Sequence, residues 1–303
     1  MKTPKISVLI ATADRPALLA GLLKSLSASR FSEAKVLILD QSRRETQLED
    51  GGGLPIRVFR CPRRGKSAAL NLGVREARAP WLAFTDDDCL VAEDWLQVID
   101  RAARDSQGEC ALTGRVVPGA PEGEAVTAPS LREQEQETTY TAPSFRDVLF
   151  GNNMAIPAEL LRKAGSFDEG LGPGTPASAA EDNDLGYRLL RAGASIRYVP
   201  SMLVTHRSWR SGPDQVKVFG GYGVGQGTFY GKHVRRGDLH MAARMARNLW
   251  DAGRDLGGAI LLGRRQDVLA SGAFAGGLLR GFLRAAWTGN GGTAGSAALT
   301  ERP

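Results

Sequence analysis

Residues 81–90 read WLAFTDDDCL, an apolar run from Trp81 to Phe84 that leads straight into Asp86, Asp87 and Asp88. A short apolar run closed by polar residues reads as a buried strand. Three adjacent carboxylates at its end repel one another and call for a positive partner. A solvated acidic turn is one answer, but a strand feeding directly into the triplet disfavours it. A divalent cation is the stronger answer, because hard ions such as Mg²⁺ and Mn²⁺ take carboxylate oxygens and often share their coordination with phosphates. In an extended segment Asp86 and Asp88 point to one side and Asp87 to the other. The D-x-D spacing then offers two carboxylates to one ion.

Outward from the triplet, short apolar runs alternate with amphipathic stretches. Ile6–Ala11, Lys35–Leu39, Ile56–Phe59 and Ala111–Val117 read as further strands. Ala17–Ser29 follows Pro16 and carries Leu18, Leu19, Leu22, Leu23 and Leu26 on one helical face. Lys66–Arg78 is helical in pattern, and Glu93–Arg104 turns Trp95, Leu96 and Ile99 inward. Such alternation predicts an α/β fold with a mostly parallel sheet. Ligands of these sheets gather at the carboxyl ends of the strands. Asp40 and the triplet both follow strand ends, so one cleft is expected to hold them.

Residues 118–143 are polar and punctuated by Pro118, Pro121, Pro129 and Pro143, which predicts a long surface excursion. Leu149–Ile156 reads as a strand, Pro157–Ala164 as a short helix, and the Gly/Pro/Ser-rich 170–180 as a flexible loop. Glu181–Ala192 reads as a helix with acidic residues at its N-terminus, where they suit the helix dipole, and Gly193 as its stop. Beyond Pro213, glycines recur at four-residue spacing (Gly223, Gly227, Gly231), which is either a helix face permitting close approach or a flexible linker. Residues 239–287 read as two amphipathic helices.

Composition narrows the field. The 303 residues are 42% hydrophobic and 24% charged, ordinary globular usage. Cys61, Cys89 and Cys110 form no CxxC pair, so neither a disulfide framework nor a zinc knuckle is indicated, and a reducing compartment fits. Ile6–Ala11 is too short for a signal-peptide core, and no segment offers ~18 uninterrupted apolar residues for a membrane span. The net charge of +6 is uneven: from Lys217 onward the chain sums to +7, and the first 216 residues to −1. That asymmetry predicts an acidic partner for the tail.

Six stretches occur in one order at regular distances: ISVLIATADRP, VLILDQS, RGKSAALNLGVREARAPWLAFTDDDCLVAEDWL, GNNMAIPAELLRKAGSFDE, EDNDLGYRLLRAG and YVPSMLVTH. Together they resemble glycosyltransferase family 2, inverting, nucleotide-sugar-dependent enzymes with the GT-A fold, over about residues 5–210. The resemblance implies roles residue by residue. Asp40 matches an aspartate that binds the nucleotide base, and its acceptor-only carboxylate suits the imide N–H of uracil. The D-Q-S that begins at Asp40 is shorter than the family's usual pattern and leaves the base open. Thr12 and Arg15 match the turn lining base and ribose, with a helix cap and a surface charge as the plain alternatives. Lys66 and Asn71 border the nucleotide, Lys66 meeting phosphate unless it is simply solvated. Asp86 and Asp88 match the metal-binding D-x-D, and Asp87 touches ribose or faces solvent. Glu181-Asp182 matches the E-D motif, in which Asp182 is the expected general base and Glu181 the second choice. Asp184 is expected to serve structure. His206 matches a histidine that completes the metal shell in many relatives, against the ordinary structural histidine. Arg207, Trp209 and Arg210 are expected to close over the donor. Asn153, with Asn152, is expected to contact sugar.

The resemblance thus implies a Mn²⁺- or Mg²⁺-dependent transfer from a nucleotide-sugar donor, with UDP the expected nucleotide, to a glycan or lipid-linked hydroxyl acceptor in envelope or extracellular polysaccharide or glycolipid synthesis. Two other readings are weaker. A nucleotidyltransferase would open with a Gly-rich triphosphate loop that IATADRP lacks, and a noncatalytic binding module would be expected to have lost D-x-D or E-D. The expected organisation is a GT-A domain over 1–213 and a basic helical tail over 214–303. The tail is expected to meet an anionic membrane surface, a partner or the catalytic domain itself. No nucleic-acid reader motif is present. The expected location is cytoplasmic, peripheral on the inner face of the cell membrane.

Overall fold

The apolar runs ISVLIAT and AKVLILD are buried almost throughout, which requires cover on both faces. In the computed structural model, which describes residues 4–44, 53–106, 109–120, 129–207 and 212–287, they are central strands of a nine-stranded sheet. In chain order the elements are β1 (Ile6–Thr12), α1 (Pro16–Ser27), β2 (Ala34–Asp40), β3 (Ile56–Arg60), α2 (Lys66–Glu76), β4 (Trp81–Thr85), β5 (Cys89–Val91) and α3 (Trp95–Asp105). They continue with β6 (Cys110–Pro118), β7 (Thr138–Tyr140), β8 (Asn153–Pro157), α4 (Ala158–Lys163), α5 (Glu181–Arg191), β9 (Ser195–His206), α6 (Gly212–Val234), α7 (Leu239–Leu261) and α8 (Arg265–Trp287). The strand order is β3-β2-β1-β4-β8-β6-β9-β5, with β7 on β9. Pairing is parallel from β3 to β4 and mixed beyond.

Strand alternation sorts the core into two layers. Val8 and Ile10 meet Leu19, Leu22 and Leu26 of α1 and Trp95 of α3 on one face. Leu9, Leu37 and Leu39 meet Leu70 and Val74 of α2 and Leu185 and Leu189 of α5 on the other. This is the α/β sandwich the alternation implied.

One irregularity in the sheet positions the site. The β6–β9 register shifts between Gly114 and Arg115. A Cβ at Gly114 would overlap the Met202 carbonyl oxygen, so glycine alone fits. Asn153 fastens the bulge: its amide donates to the carbonyls of Arg115 (2.8 Å) and Met202 (2.7 Å) and accepts from the Trp95 indole (2.9 Å). Past the bulge, β9 runs on to pair antiparallel with β5, setting His206 opposite Cys89 and so beside Asp88.

Three local expectations change. The 118–143 excursion is partly sheet: β7 pairs with β9, Val116 bridges Arg132, and the Arg132 guanidinium lies over the Phe150 and Tyr198 rings. The strand expected from Leu149 starts at Asn153, because residues up to Asn152 form a turn. The 170–180 loop is closed on itself, Gly172 N–H donating to Ala177 and the Thr175 hydroxyl within hydrogen-bond reach of the Gly172 carbonyl.

The glycine spacing of the tail proves helical. Gly223, Gly227 and Gly231 of α6 face the carbonyls of Phe274, Leu278 and Phe282 on α8, and Gly277 and Gly281 return the contact against Gly220 and Val224. Any Cβ at these positions would overlap the opposing backbone. Each glycine costs about 1 kcal/mol of helix propensity, offset here by backbone-to-backbone packing. Gly227→Ala is therefore expected to lose about 1–3 kcal/mol of stability, whereas Gly253→Ala, in open space on α7, should gain up to about 1 kcal/mol. Urea midpoints of the two variants check this.

The tail also docks on the sheet domain. Phe229, Tyr230, Met241, Met245 and Leu278 share a buried cluster with Leu171, Ala177, Ala180 and Tyr187. Asp184 of α5, fully buried, pairs with Arg188 (2.8 Å), Lys232 (2.7 Å) and His233 (2.9 Å). Burial opposes its charge, but His233, Lys232 and Arg188 hold its pKa well below the usual range. No helix among the described residues is long and apolar enough to cross a membrane.

Candidate active site

A cavity of about 570 Å³ opens at the carboxyl ends of β1 and β4. Thr12, Arg15, Lys66, Asp86, Asp87, Asp88, Glu181, Asp182 and His206 all line it. The triplet is a turn rather than an extended segment, so its carboxylates diverge in another way than strand alternation implied. Asp86 pairs with Lys66 Nζ (2.5 Å), which also lies 3.4 Å from Glu181. Burial alone would lower the Lys66 pKa; Asp86 and Glu181 outweigh it and keep the ammonium charged. Asp87 and Asp88 share Arg15, each at 3.2 Å, and Asp87 accepts the Thr12 hydroxyl at 2.7 Å. Burial pushes the Asp87 carboxyl up to about 6 despite these partners.

Asp88 and His206 form the part of the site best suited to a cation. Their atoms, with the Cys89 sulfur, lie within 4.8 Å of one another. His206 Nδ1 is 3.0 Å from the Pro129 carbonyl, which can only accept, so Nδ1 carries the proton. Nε2 then faces Asp88 Oδ1 at 3.3 Å, and that oxygen is buried without a directed hydrogen bond. When Nε2 is unprotonated, its lone pair and the Asp88 oxygen are two donors aimed at one point, which fits a divalent cation. Burial works against charge on both groups, but each favours the charged form of the other, so His206 is raised and Asp88 lowered. A proton on Nε2 and a cation thus compete for the same place. Burial pushes the Cys89 thiol well up, and a protonated thiol suits no hard cation.

Glu181 and Asp182 open α5. The residue before them, Ala180, adopts φ 71°, a left-handed conformation that costs a non-glycine residue about 1–2 kcal/mol and turns the helix start toward the cavity. Asp182 accepts from the N–H groups of Gly151 (2.7 Å) and Asn183 (2.8 Å). Burial, and then Glu181 beside it, push its carboxyl up to about 7.

Three expected site residues lie elsewhere. Asp40 is fully buried, and its oxygens accept from Arg60 (2.7 Å) and the Ser42 N–H (2.8 Å); Gln41 lines the cavity in its place. Asn71 stitches α2 to Phe167 and Glu169. Asn153 fastens the sheet bulge, while Asn152, which donates to Ser130, is the one at the wall. Arg207 contacts the triplet through its backbone N–H on the Asp88 carbonyl. Trp209 and Arg210 lie outside the described residues.

The far wall was not foreseen. Tyr222 and Gln226 of α6, Asn248 of α7 and Phe274 of α8 line it, with Asp147 and Asn183. Gln226 accepts from Asn183 (3.0 Å) and donates to Asp147 (3.2 Å), which Arg244 also binds. The amphipathic pattern over 239–287 and the glycine spacing before it do not say which tail residues face a distant helix.

The glycosyl transferase family 2 profile matches residues 7–162, just over half of the chain. The chain belongs to glycosyl transferase family 2. A pre-mycofactocin glycosyltransferase of Mycobacterium tuberculosis is 27% identical over 210 residues, 66% of this chain and 42% of the relative. An uncharacterized glycosyltransferase of Haemophilus influenzae is 31% identical over 102 residues, 32% of this chain and 35% of the relative. The chain therefore spans about two-fifths or less of these curated relatives. Among solved structures, the mannosyltransferase PcManGT of Pyrobaculum calidifontis, in complex with GDP-Man and Mn²⁺, aligns with a TM-score of 0.58 at 17% identity, covering 95% of this chain and 88% of that one. Staphylococcus aureus TarS 1–349 in complex with UDP aligns at 0.51 and 16% identity, over 92% and 90%. These likenesses establish the shared GT-A fold, with the three tail helices as this family 2 chain's C-terminal region.

Proposed function

We propose that this family 2 chain transfers a sugar, with inversion, from a nucleotide diphosphate donor to a hydroxyl acceptor. The observation that carries the reading is one cavity lined both by an acid–histidine pair fit for a cation and by a buried carboxylate held near neutral pKa. Asp88 and His206 would hold the cation, with Asp86 beside them, as Mn²⁺ in PcManGT and in GalNAc-T7 with UDP and GalNAc makes reasonable. When bound, a divalent cation offsets the charge of the diphosphate and of the leaving group. Lys66 and Arg15 supply fixed positive charge for the same phosphates. Asp182 accepts the proton of the acceptor hydroxyl as that oxygen attacks the anomeric carbon opposite the diphosphate. Glu181 keeps Lys66 in place and raises Asp182 toward the useful range. Residues 1–213 hold the donor, and the tail from 214 closes the acceptor side. UDP is the expected nucleotide, and a glycan or lipid-linked acceptor at the cytoplasmic face of a membrane is the expected partner, in envelope or extracellular polysaccharide or glycolipid synthesis.

The deciding experiment incubates the full chain with a panel of UDP- and GDP-sugars and Mn²⁺ or Mg²⁺ and follows release of the nucleoside diphosphate. Release from one sugar nucleotide, stimulated by a hydroxyl acceptor, suppressed by chelator and giving the inverted anomer by NMR, is the expected result. Pyrophosphate release from a nucleoside triphosphate and a sugar phosphate would overturn it.

A further inference from the structure

The α7–α8 hairpin carries apolar surface that the fold leaves in water. Its turn is Ile260, Leu261 and Leu262, followed by Gly263, Arg264 and Arg265; Leu261 is 88% exposed. Along α8 most of the exposed residues fall in register. At 100° per residue, Arg265, Leu269, Leu279, Arg280, Leu283 and Trp287 occupy one arc of about 100°. Trp287 is 90% exposed. The glycines that meet α6 lie on the other side of the helix. The stripe is about 33 Å long at 1.5 Å per residue. It contains no acidic residue and interleaves leucine and tryptophan with arginine.

We propose that this stripe and the hairpin turn form a docking surface for an anionic lipid bilayer. The leucines and Trp287 would enter the boundary between headgroups and acyl chains, and Arg264, Arg265 and Arg280 would meet lipid phosphates, their stems alongside the apolar residues. Charge selects this occupant. The chain from Lys217 onward sums to +7, which an anionic surface complements. A second copy docked stripe to stripe would set arginine against arginine. The chain's own residues 288–303, TGNGGTAGSAALTERP, offer one leucine and no aromatic to cover the stripe. The same helix turns Phe274 into the cavity, so docking would set the far wall of the cavity alongside the bilayer. The inference deepens the membrane location proposed above, yet its test needs no transferase activity.

The full chain is sedimented with phosphatidylcholine vesicles with and without phosphatidylglycerol. Partition is expected with the anionic vesicles, weak with the neutral ones, and falling as NaCl rises from 0.1 to 0.5 M. The double variant L261D/L262D and, separately, Leu283→Asp should each lower partition at least tenfold with unchanged thermal unfolding, since all three side chains are exposed. Tryptophan emission should shift to the blue with anionic vesicles, and less so in Trp287→Phe. Absence of partition at low salt would overturn the proposal, as would equal partition of the parent chain and the variants. A dimer that Leu283→Asp dissolves, without vesicle binding, would also overturn it by giving the stripe to a second copy.

Discussion

Asp182→Asn is expected to lower kcat by about 10²–10⁴-fold, the range for loss of a positioned general base, while donor affinity in the presence of Mn²⁺ changes little. Each carboxylate oxygen accepts one backbone N–H, from Gly151 and Asn183, so the amide keeps the size of the side chain but only one of these two bonds; Asp182 is not in the acid–histidine cluster. The pH dependence gives a second measure. A base with a folded pKa of about 7 works only when ionised, so kcat/KM of the parent chain should rise with pH through about 7 and then level. Stability should run the other way. The folded carboxyl binds its proton more tightly than the unfolded one, so the stabilising contribution is full at acid pH and is lost as pH rises through about 7. The Asn variant lacks that loss, and its Tm relative to the parent should climb between pH 5 and pH 8. A variant that retains full kcat would end the assignment of Asp182 as base.

Asp88→Asn is expected to cost at least about a hundredfold in kcat/KM, with the loss concentrated in cation-dependent donor binding. The orphaned Oδ1 that faces His206 is the only buried carboxylate oxygen without a directed partner among the described residues. Its replacement removes one of the two donors aimed at the cation. Titration with Mn²⁺ by calorimetry should show the weakened binding directly. In the parent chain, affinity for Mn²⁺ should fall as pH drops, because the proton on His206 Nε2 competes. Donor turnover unaffected by Asp88→Asn and by chelator would remove the cation from the proposal.

What the sequence disclosed follows from how locally each feature is written. Strands β1, β2 and β4 are apolar runs buried on both faces, and α1 and α3 carry one-sided leucine or tryptophan patterns, so short-range periodicity suffices for them. The glycine spacing of α6 is compatible with a close helix contact but equally with a linker, and only the packing against α8 decides between them. The triplet shows as carboxylates closing an apolar strand, and Glu181-Asp182 as acids at the start of a helical pattern, so both are written locally. Asn71, Asn153 and Asp40 sit in motif positions, but their side chains answer to partners 20 to about 100 residues away: Arg60 for Asp40, Phe167 for Asn71, Met202 for Asn153. A spacing rule carries no sign of those bonds. β7 is three residues long and exists only because β9 offers it an edge. Tyr222, Gln226, Asn248 and Phe274 reach the cavity through tertiary packing of three helices, which no single stretch encodes.

The glycine contact between α6 and α8 has a bearing on how this chain can be redesigned. Because the two backbones touch, neither helix can be exchanged by itself, and a cut after Pro213 would strip one wall from the cavity while stranding Asp184 without Lys232 and His233. A chimera that replaces the tail must carry all three tail helices as a block, together with the start of α5 against which they are keyed.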